Sequence, residues 1–237
     1  NLPKPVTGFP QYFSLIFCFL FFKDIFFIKS VKRGHFLQLT IVLFNFLNLI
    51  FVMRLINFIL IIYLILTNVI KADSNIKVLE DLKKGGNLIF IRHAYAPGGG
   101  DPDNFDIKDC STQRNLSEVG KKQSKKIGNF FENNEIPIDK VISSEWCRCK
   151  DTAKIAFNKF EIKNFLNSFY SEKFAKNRSK QIKDLKKYIE NWNGKKNLVF
   201  VTHYVVISEV LNYYPNSGEI VISDKSFKKI GNIEIDY

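Results

Sequence analysis

Two short apolar runs, each delivering a histidine, constrain this fold more than any other feature of the sequence. Asn87-Leu-Ile-Phe-Ile91 leads into Arg92-His93, and Asn197-Leu-Val-Phe-Val-Thr202 leads into His203; no other histidine lies beyond residue 72. Uncharged runs of this length, bounded by Gly and polar residues, read as strands of an α/β sheet buried on both faces. Ligands of such sheets bind beyond the carboxyl ends of the strands. A single such histidine reads as a satisfied core residue. Two at equivalent positions, one beside an arginine, read as a shared phosphate-handling pocket.

The remaining pattern supports that fold class. Ile76–Gly86 reads as a short helix stopped by Gly85-Gly86, and Asn87–Ile91 as the first strand. A Gly/Pro/Asp loop follows over Ala94–Arg114. Ser117 is a helix N-cap, and the helix it opens presents Val119, Ile127, Phe130 and Phe131. Asp139–Ser143 reads as a strand, Glu145–Asn158 as a helix and Ile162–Phe169 as extended chain. Ser179–Trp192 is an amphipathic helix with Ile182, Leu185, Ile189 and Trp192 on one stripe. Leu198–Thr202 is a strand and Val205–Asn212 a helix. Glu219–Ser223 and Asn232–Ile235 close the sheet. The alternation predicts a three-layer α/β domain, its largely parallel sheet covered by helices on both faces.

Composition divides the chain before that domain begins. Residues 1–52 hold 12 of the 24 phenylalanines and a single acidic residue, Asp24. Apolar stretches at about 12–28 and 37–53 read either as membrane segments or as upstream sequence ahead of a start at Met53, the only methionine. The Phe excess and the absence of an initiator favour the second reading. Residues 53–72 have the layout of a signal peptide: Arg54, then the apolar Leu55–Ile70, then Ile70-Lys71-Ala72 before Asp73. Ile70 is large for its place in a cleavage site and the apolar run is long, so an uncleaved membrane anchor is the alternative. Residues 73–237 are then one domain, periplasmic or secreted, or anchored at the membrane.

That domain carries 28 Lys+Arg against 22 Asp+Glu. Its lysines are scattered over helix faces, with no basic stripe interleaved with aromatics, which excludes nucleic acid as a partner. Only four of the 28 cations are arginines: Arg92, Arg114, Arg148 and Arg178. Where lysine is the default cation, arginine reads as chosen for its planar fork. Structural partners are also at hand, with Glu145 or Asp151 beside Arg148 and Asp109 near Arg114. The cysteines Cys110, Cys147 and Cys149 lack the spacing of a zinc site. In an oxidising compartment they suit a disulfide between Cys110 and either Cys147 or Cys149; Cys18 lies in the upstream segment.

Three segments, in order, resemble the histidine phosphatase (phosphoglycerate mutase-like) superfamily, in a small exported bacterial-type form. Ile91-Arg92-His93-Ala94 is similar to its R-H-G/A signature. Ser143-Ser144-Glu145-Trp146-Cys147-Arg148-Cys149-Lys150-Asp151-Thr152-Ala153 is similar to S-S-x-x-x-R-x-x-x-T-A, and Val201-Thr202-His203 to its second histidine. Asn115-Leu116-Ser117-Glu118-Val119-Gly120 adds a weaker match to its L-T/S-x-x-G helix opening. The resemblance covers about residues 85–235.

It implies a metal-independent phosphomonoester hydrolase without a cofactor, working through phosphohistidine on His93. Neutral imidazole is a good nitrogen nucleophile. Arg92 and Arg148 fork onto phosphoryl oxygens in a way lysine cannot. His203 stabilises developing charge, and Arg114 is a further substrate-binding candidate. The sequence departs from family patterns at Gly99, an asparagine in many mutases, and at Tyr204, an aspartate in the acid-phosphatase branch. The general acid is therefore not given by motif: Glu172 is the first choice, with Asp101, Asp103 and Glu145 as alternatives. Pro97-Gly98-Gly99-Gly100-Asp101 reads as a flexible loop over the site, lacking the Gly-Lys-Ser/Thr ending of a P-loop. Compartment and small size favour phosphatase over mutase. The partner expected is a small phosphorylated substrate or a phosphoprotein, with membrane attachment through the N-terminal apolar segment. A non-catalytic phosphate-ligand or partner-binding domain is the alternative function. Metal binding by His93 and His203 is a poorer one, because two arginines would repel the cation.

Overall fold

A computed structural model describes residues 33–236 of the chain. The apolar stretch expected at 12–28 lies outside the described residues, and Cys18 with it. The chain divides into two units, Asn1–Thr67 and Asn68–Tyr237. Helix α1, Arg33–Lys84, supplies the described part of the first. Within it Gln38–Leu66 forms 29 residues long and apolar enough to cross a membrane, since about 20 apolar helical residues span the hydrocarbon core. Its side chains, such as Phe44, Phe51 and Phe58, are exposed. Met53 falls inside this run rather than at its edge. The separate helix expected over Ile76–Gly86 is the end of α1, which stops at Lys84 where Gly85 takes a φ of +80°.

The second unit is built on six strands: β1 Leu88–Arg92, β2 Ile138–Ser143, β3 Glu161–Ile162, β4 Asn197–Thr202, β5 Ile220–Ser223 and β6 Lys229–Ile233. Their order is β3-β2-β4-β1-β5-β6. The first four run parallel, and β5 and β6 close the sheet antiparallel. The helices are α2 Glu118–Asn133, α3 Cys147–Phe157, α4 Glu172–Ala175, α5 Arg178–Glu190 and α6 Tyr204–Leu211.

Alternation along the buried strands sorts the core into two layers, as the period of two requires. Ile89, Ile91, Val199, Val201, Ile220 and Ile222 meet the end of α1, α2 and α3 through Leu82, Ile127, Phe131 and Ala153. Leu88, Phe90, Leu198, Phe200 and Val221 meet α5 and α6 through Leu185, Ile189, Val206 and Ile207. The three-layer α/β expectation is met. At the opposite edge from the histidines, Asn197 Oδ1 accepts from Asn87 N and Nδ2, while Asn197 Nδ2 donates to Leu82 O and Pro137 O. The two central strands are thus joined at their starts.

Three local expectations need correction. Val119 is 41% exposed, because the inward stripe of α2 is Gly120, Gln123, Ser124, Ile127 and Phe131. The extended stretch expected over Ile162–Phe169 ends after Ile162 and turns through a 3-10 segment, Asn164–Leu166, whose carbonyls are taken by Gln181 and Thr202. The last strand begins earlier than Asn232, since Asp224 closes a tight turn by accepting from Ser226 N and Lys228 N.

Register is what carries the site. Residues 88–92 pair one to one with 198–202, ending on Arg92 opposite Thr202. His93 and His203 therefore leave the sheet side by side. The chain after His93 is then held by α2: Tyr95 O accepts from Ser117 N, and a Cβ on Gly120 would lie 2.0 Å from that carbonyl oxygen. In an open helix interior Gly→Ala adds about 1 kcal/mol of stability. Here Gly120→Ala is expected to destabilise by about 1–3 kcal/mol, the usual range for overpacking. Denaturant unfolding checks this; a more stable variant would show that the close approach is absent.

Candidate active site

A cleft of about 620 Å3 opens at the carboxyl ends of β1 and β4. His93, His203, Arg92, Arg114 and Arg148 all line it. The geometry of His93 follows from its neighbours. Its backbone N–H donates to Thr202 O at 2.9 Å, and its Nδ1 lies 2.9 Å from Ala94 O. A carbonyl only accepts, so Nδ1 carries the proton and Nε2 keeps its lone pair. Arg148 Nε donates to that Nε2 at 3.2 Å. The His203 ring stands edge-on, its centroid 5.5 Å from that of His93.

Arg148 sits in the first turn of α3 and is 3% exposed. Its helix is fastened to the chain just after His93 by Thr152, whose Oγ1 donates to Arg148 O and accepts from Ala94 N. Ser144 Oγ lies 3.0 Å from His203 Nε2 and 3.0 Å from Asn167 Oδ1. The spacing S-x-x-x-R-x-x-x-T thus places one contact on His203, one on His93 and one on the chain just after it. Neither Asn167 nor Gln123, which accepts from Tyr95 N, was identifiable from the sequence, because each acts through contacts distant along the chain.

Burial first, and Arg148 next, hold both imidazoles well below the ordinary histidine range. Both are neutral at physiological pH. Arg92 donates to Pro215 O at 2.9 Å and stacks on Tyr204 with 5.3 Å to the ring centroid. Its buried Nε has no hydrogen-bond partner among the described residues, a costly condition that an incoming acceptor relieves.

Arg114 also lines the cleft, but its Nε donates to Gly100 O at 2.9 Å and its Nη1 to Ala96 O. It holds the glycine-rich loop, and Asp109, its expected neutralising partner, instead accepts from Ser111. Arg148 pairs with neither Glu145 nor Asp151: its partner is Asp101, at 2.6 Å. The fourth arginine, Arg178, pairs with Glu209 at 2.5 Å, and it does not line the cleft.

The structure does not bring Glu172 to the others. It is exposed at the start of α4, and the cleft is lined by its neighbours Ser171 and Lys173 instead. Of the alternatives, Asp101 and Asp103 line the cleft, while Glu145 accepts from Asn167 Nδ2 at 2.5 Å. A disulfide joins Cys110 to Cys147, linking the long loop to the first residue of α3. Cys149 is the third candidate and is free and buried, its thiol pushed up to about 12 chiefly by burial.

Residues 88–172 match the family model of the histidine phosphatase superfamily (branch 1). The matched stretch holds Arg92, His93, Arg114 and Arg148; His203 lies beyond it. Three similar solved structures are these. An open reading frame product of Mycobacterium tuberculosis is 16% identical, over 63% of this chain and 96% of its own, with a TM-score of 0.46. The protein histidine phosphatase SixA, complexed with tungstate, is 15% identical over 60% and 92%, with a TM-score of 0.43. The alpha-ribazole phosphatase of Shigella flexneri is 15% identical over 58% and 90%, with a TM-score of 0.43. No curated protein matches the sequence.

The buried neutral histidines have a consequence for stability. Unfolded, they titrate near the ordinary 6.5; folded, they stay neutral to much lower pH. The unfolded state therefore binds more protons below about pH 6.5, and stability falls as pH drops from about 7 to 5. Asp101 is also held down, from an ordinary 3.8, so its contribution is lost at still lower pH. Each histidine adds at most about 1.4 kcal/mol per pH unit to the slope. Unfolding at pH 7, 6 and 5 should show this decline, and His203→Gln should flatten it. Parallel slopes in the two proteins would locate the pH dependence elsewhere.

Proposed function

We propose that this domain hydrolyses phosphomonoesters, without a metal, through a phosphohistidine on His93. The observation that carries the reading is the state of His93. Its Nδ1 is tied to Ala94 O, and its Nε2 lone pair adjoins the Arg148 guanidinium in a cleft that Arg92 and Arg114 also line. Cations at this density recognise a tetrahedral dianion, and a neutral imidazole among them is positioned to attack its phosphorus. In this mechanism Arg148 and the unpartnered Nε of Arg92 take phosphoryl oxygens. His203 lines the same cleft, and its ring N–H, held on Ser144 Oγ in this structure, is the donor for the charge that builds in the transition state. Arg114 acts from one step back, by keeping the loop over the cleft.

We place the domain outside the reducing cytoplasm. The Cys110–Cys147 disulfide suits an oxidising compartment, and Gln38–Leu66 suits an export signal or a membrane anchor. A small phosphomonoester or a phosphoprotein of that compartment is the substrate class.

The competing reading is a domain that binds phosphate groups without turning them over. Assay of the full chain against a panel of phosphomonoesters, with EDTA present, separates the two. Metal-independent turnover is expected, lost in His93→Ala. Arg148→Lys keeps the charge but loses the fork and the contact to His93 Nε2. It is expected to reduce kcat/KM by about tenfold or more, the scale of one hydrogen bond to a charged group. Equal kinetics for Lys and Arg at position 148 would show that only charge matters there.

A further inference from the structure

We propose that Asp101 has two successive roles in this cleft: it first occupies the fork of Arg148 as an internal stand-in for the phosphoryl group, and once displaced it is the proton donor to the leaving oxygen. The proposal rests on the phosphomonoester reading of the site. Asp101 Oδ1 is 2.6 Å from Arg148 Nη1, and Oδ2 is 3.2 Å from Nη2. This is the two-point geometry that a guanidinium also offers to a pair of phosphoryl oxygens. The third nitrogen of the same fork touches His93 Nε2. The carboxylate is therefore one guanidinium's width from the nucleophile.

Two further contacts keep Asp101 at the cleft when Arg148 changes partner. Trp146 Nε1 donates to Oδ2 at 3.0 Å, and Arg114 N donates to Oδ1 at 3.1 Å. There is also room to shift, since a Cβ added at Gly99 or Gly100 would meet nothing within 4 Å. The other carboxylates are placed differently. Glu172 does not line the cleft, Glu145 is engaged by Asn167, and Asp103 is exposed at the rim.

Charge favours the exchange. Arg148 and Trp146 face Asp101 from α3 and its approach, and Arg114 faces it from the end of the loop; His93 and Cys149 lie behind Arg148. Burial alone would raise the Asp101 carboxyl, but Arg148, Trp146 and Arg114 together hold it below its ordinary value. Transfer of Arg148 to a phosphoryl dianion removes the strongest of these and puts like charge nearby, both of which favour the protonated carboxyl. The His93 Nε2 lone pair then forms the N–P bond as the P–O bond to the leaving group breaks, and that oxygen takes the Asp101 proton. In the second half, water attacks phosphorus and gives a proton to the Asp101 carboxylate. The N–P bond breaks with its pair returning to Nε2, releasing the alcohol and inorganic phosphate in total.

The test is Asp101→Asn in the full chain, with Asp101→Ser as a second variant, read by inorganic phosphate binding and by turnover. Removing the internal competitor should tighten phosphate binding about tenfold or more, the scale of one charge-assisted hydrogen bond. Turnover of alkyl phosphates should fall roughly 10²–10⁴-fold, and that of aryl phosphates with good leaving groups far less. Weaker phosphate binding in both variants, or loss of folding in both, would make Asp101 a structural partner of Arg148 and overturn the proposal. Equal slowing of both substrate types would remove it as the acid. A wild-type chain without turnover would overturn the phosphatase reading, and the phosphate comparison would still decide the stand-in role.

Discussion

Arg148 is a permanent cation buried to 3% exposure, and the surrounding structure is arranged to bear that cost. A guanidinium taken out of water needs every donor answered and its charge compensated. Here Nε meets His93, the two terminal nitrogens meet Asp101, and Nη1 also reaches Arg114 O. The same charge, after burial itself, keeps both imidazoles neutral. One side chain thus sets the protonation of His93, holds the Asp101 carboxylate and presents a planar fork at the cleft.

The fold makes this arrangement through register and through a few ties. One-to-one pairing of β1 with β4 sets His93 beside His203. Thr152 ties α3 to Ala94, Gly120 lets α2 approach Tyr95, and Ser144 meets His203. The Cys110–Cys147 bond fastens the long loop to the helix that carries Arg148. Loop, helix and strand ends therefore converge on the same cation from three directions in the sequence.

Much of this is legible in the sequence. Strands buried on both faces announce themselves as uncharged runs, so β1 and β4 and the histidines after them could be read directly. The scarcity of arginine was informative too, since Arg92, Arg114 and Arg148 line the cleft while Arg178 forms a surface pair. The failures lie where apolar periodicity is absent or is carried by small and polar residues. Glu172 follows a segment expected to run on as extended chain, but the 3-10 turn at Asn164–Leu166 redirects it. Val119 falls on the solvent side of α2, because the buried positions there include Gly120, Gln123 and Ser124, which carry no apolar signal. Asp101 stood only among the alternatives: a carboxylate after three glycines shows its importance only once the loop is closed on Arg148.

The central claim is that the His93 Nε2 lone pair is a nucleophile. Incubating the full chain with a radiolabelled phosphomonoester, quenching in alkali and mapping the labelled peptide tests it most directly. The account predicts label on the peptide containing His93, stable in alkali and lost in acid as a phosphoramidate is. Turnover with no label there, or label on another residue, would contradict it.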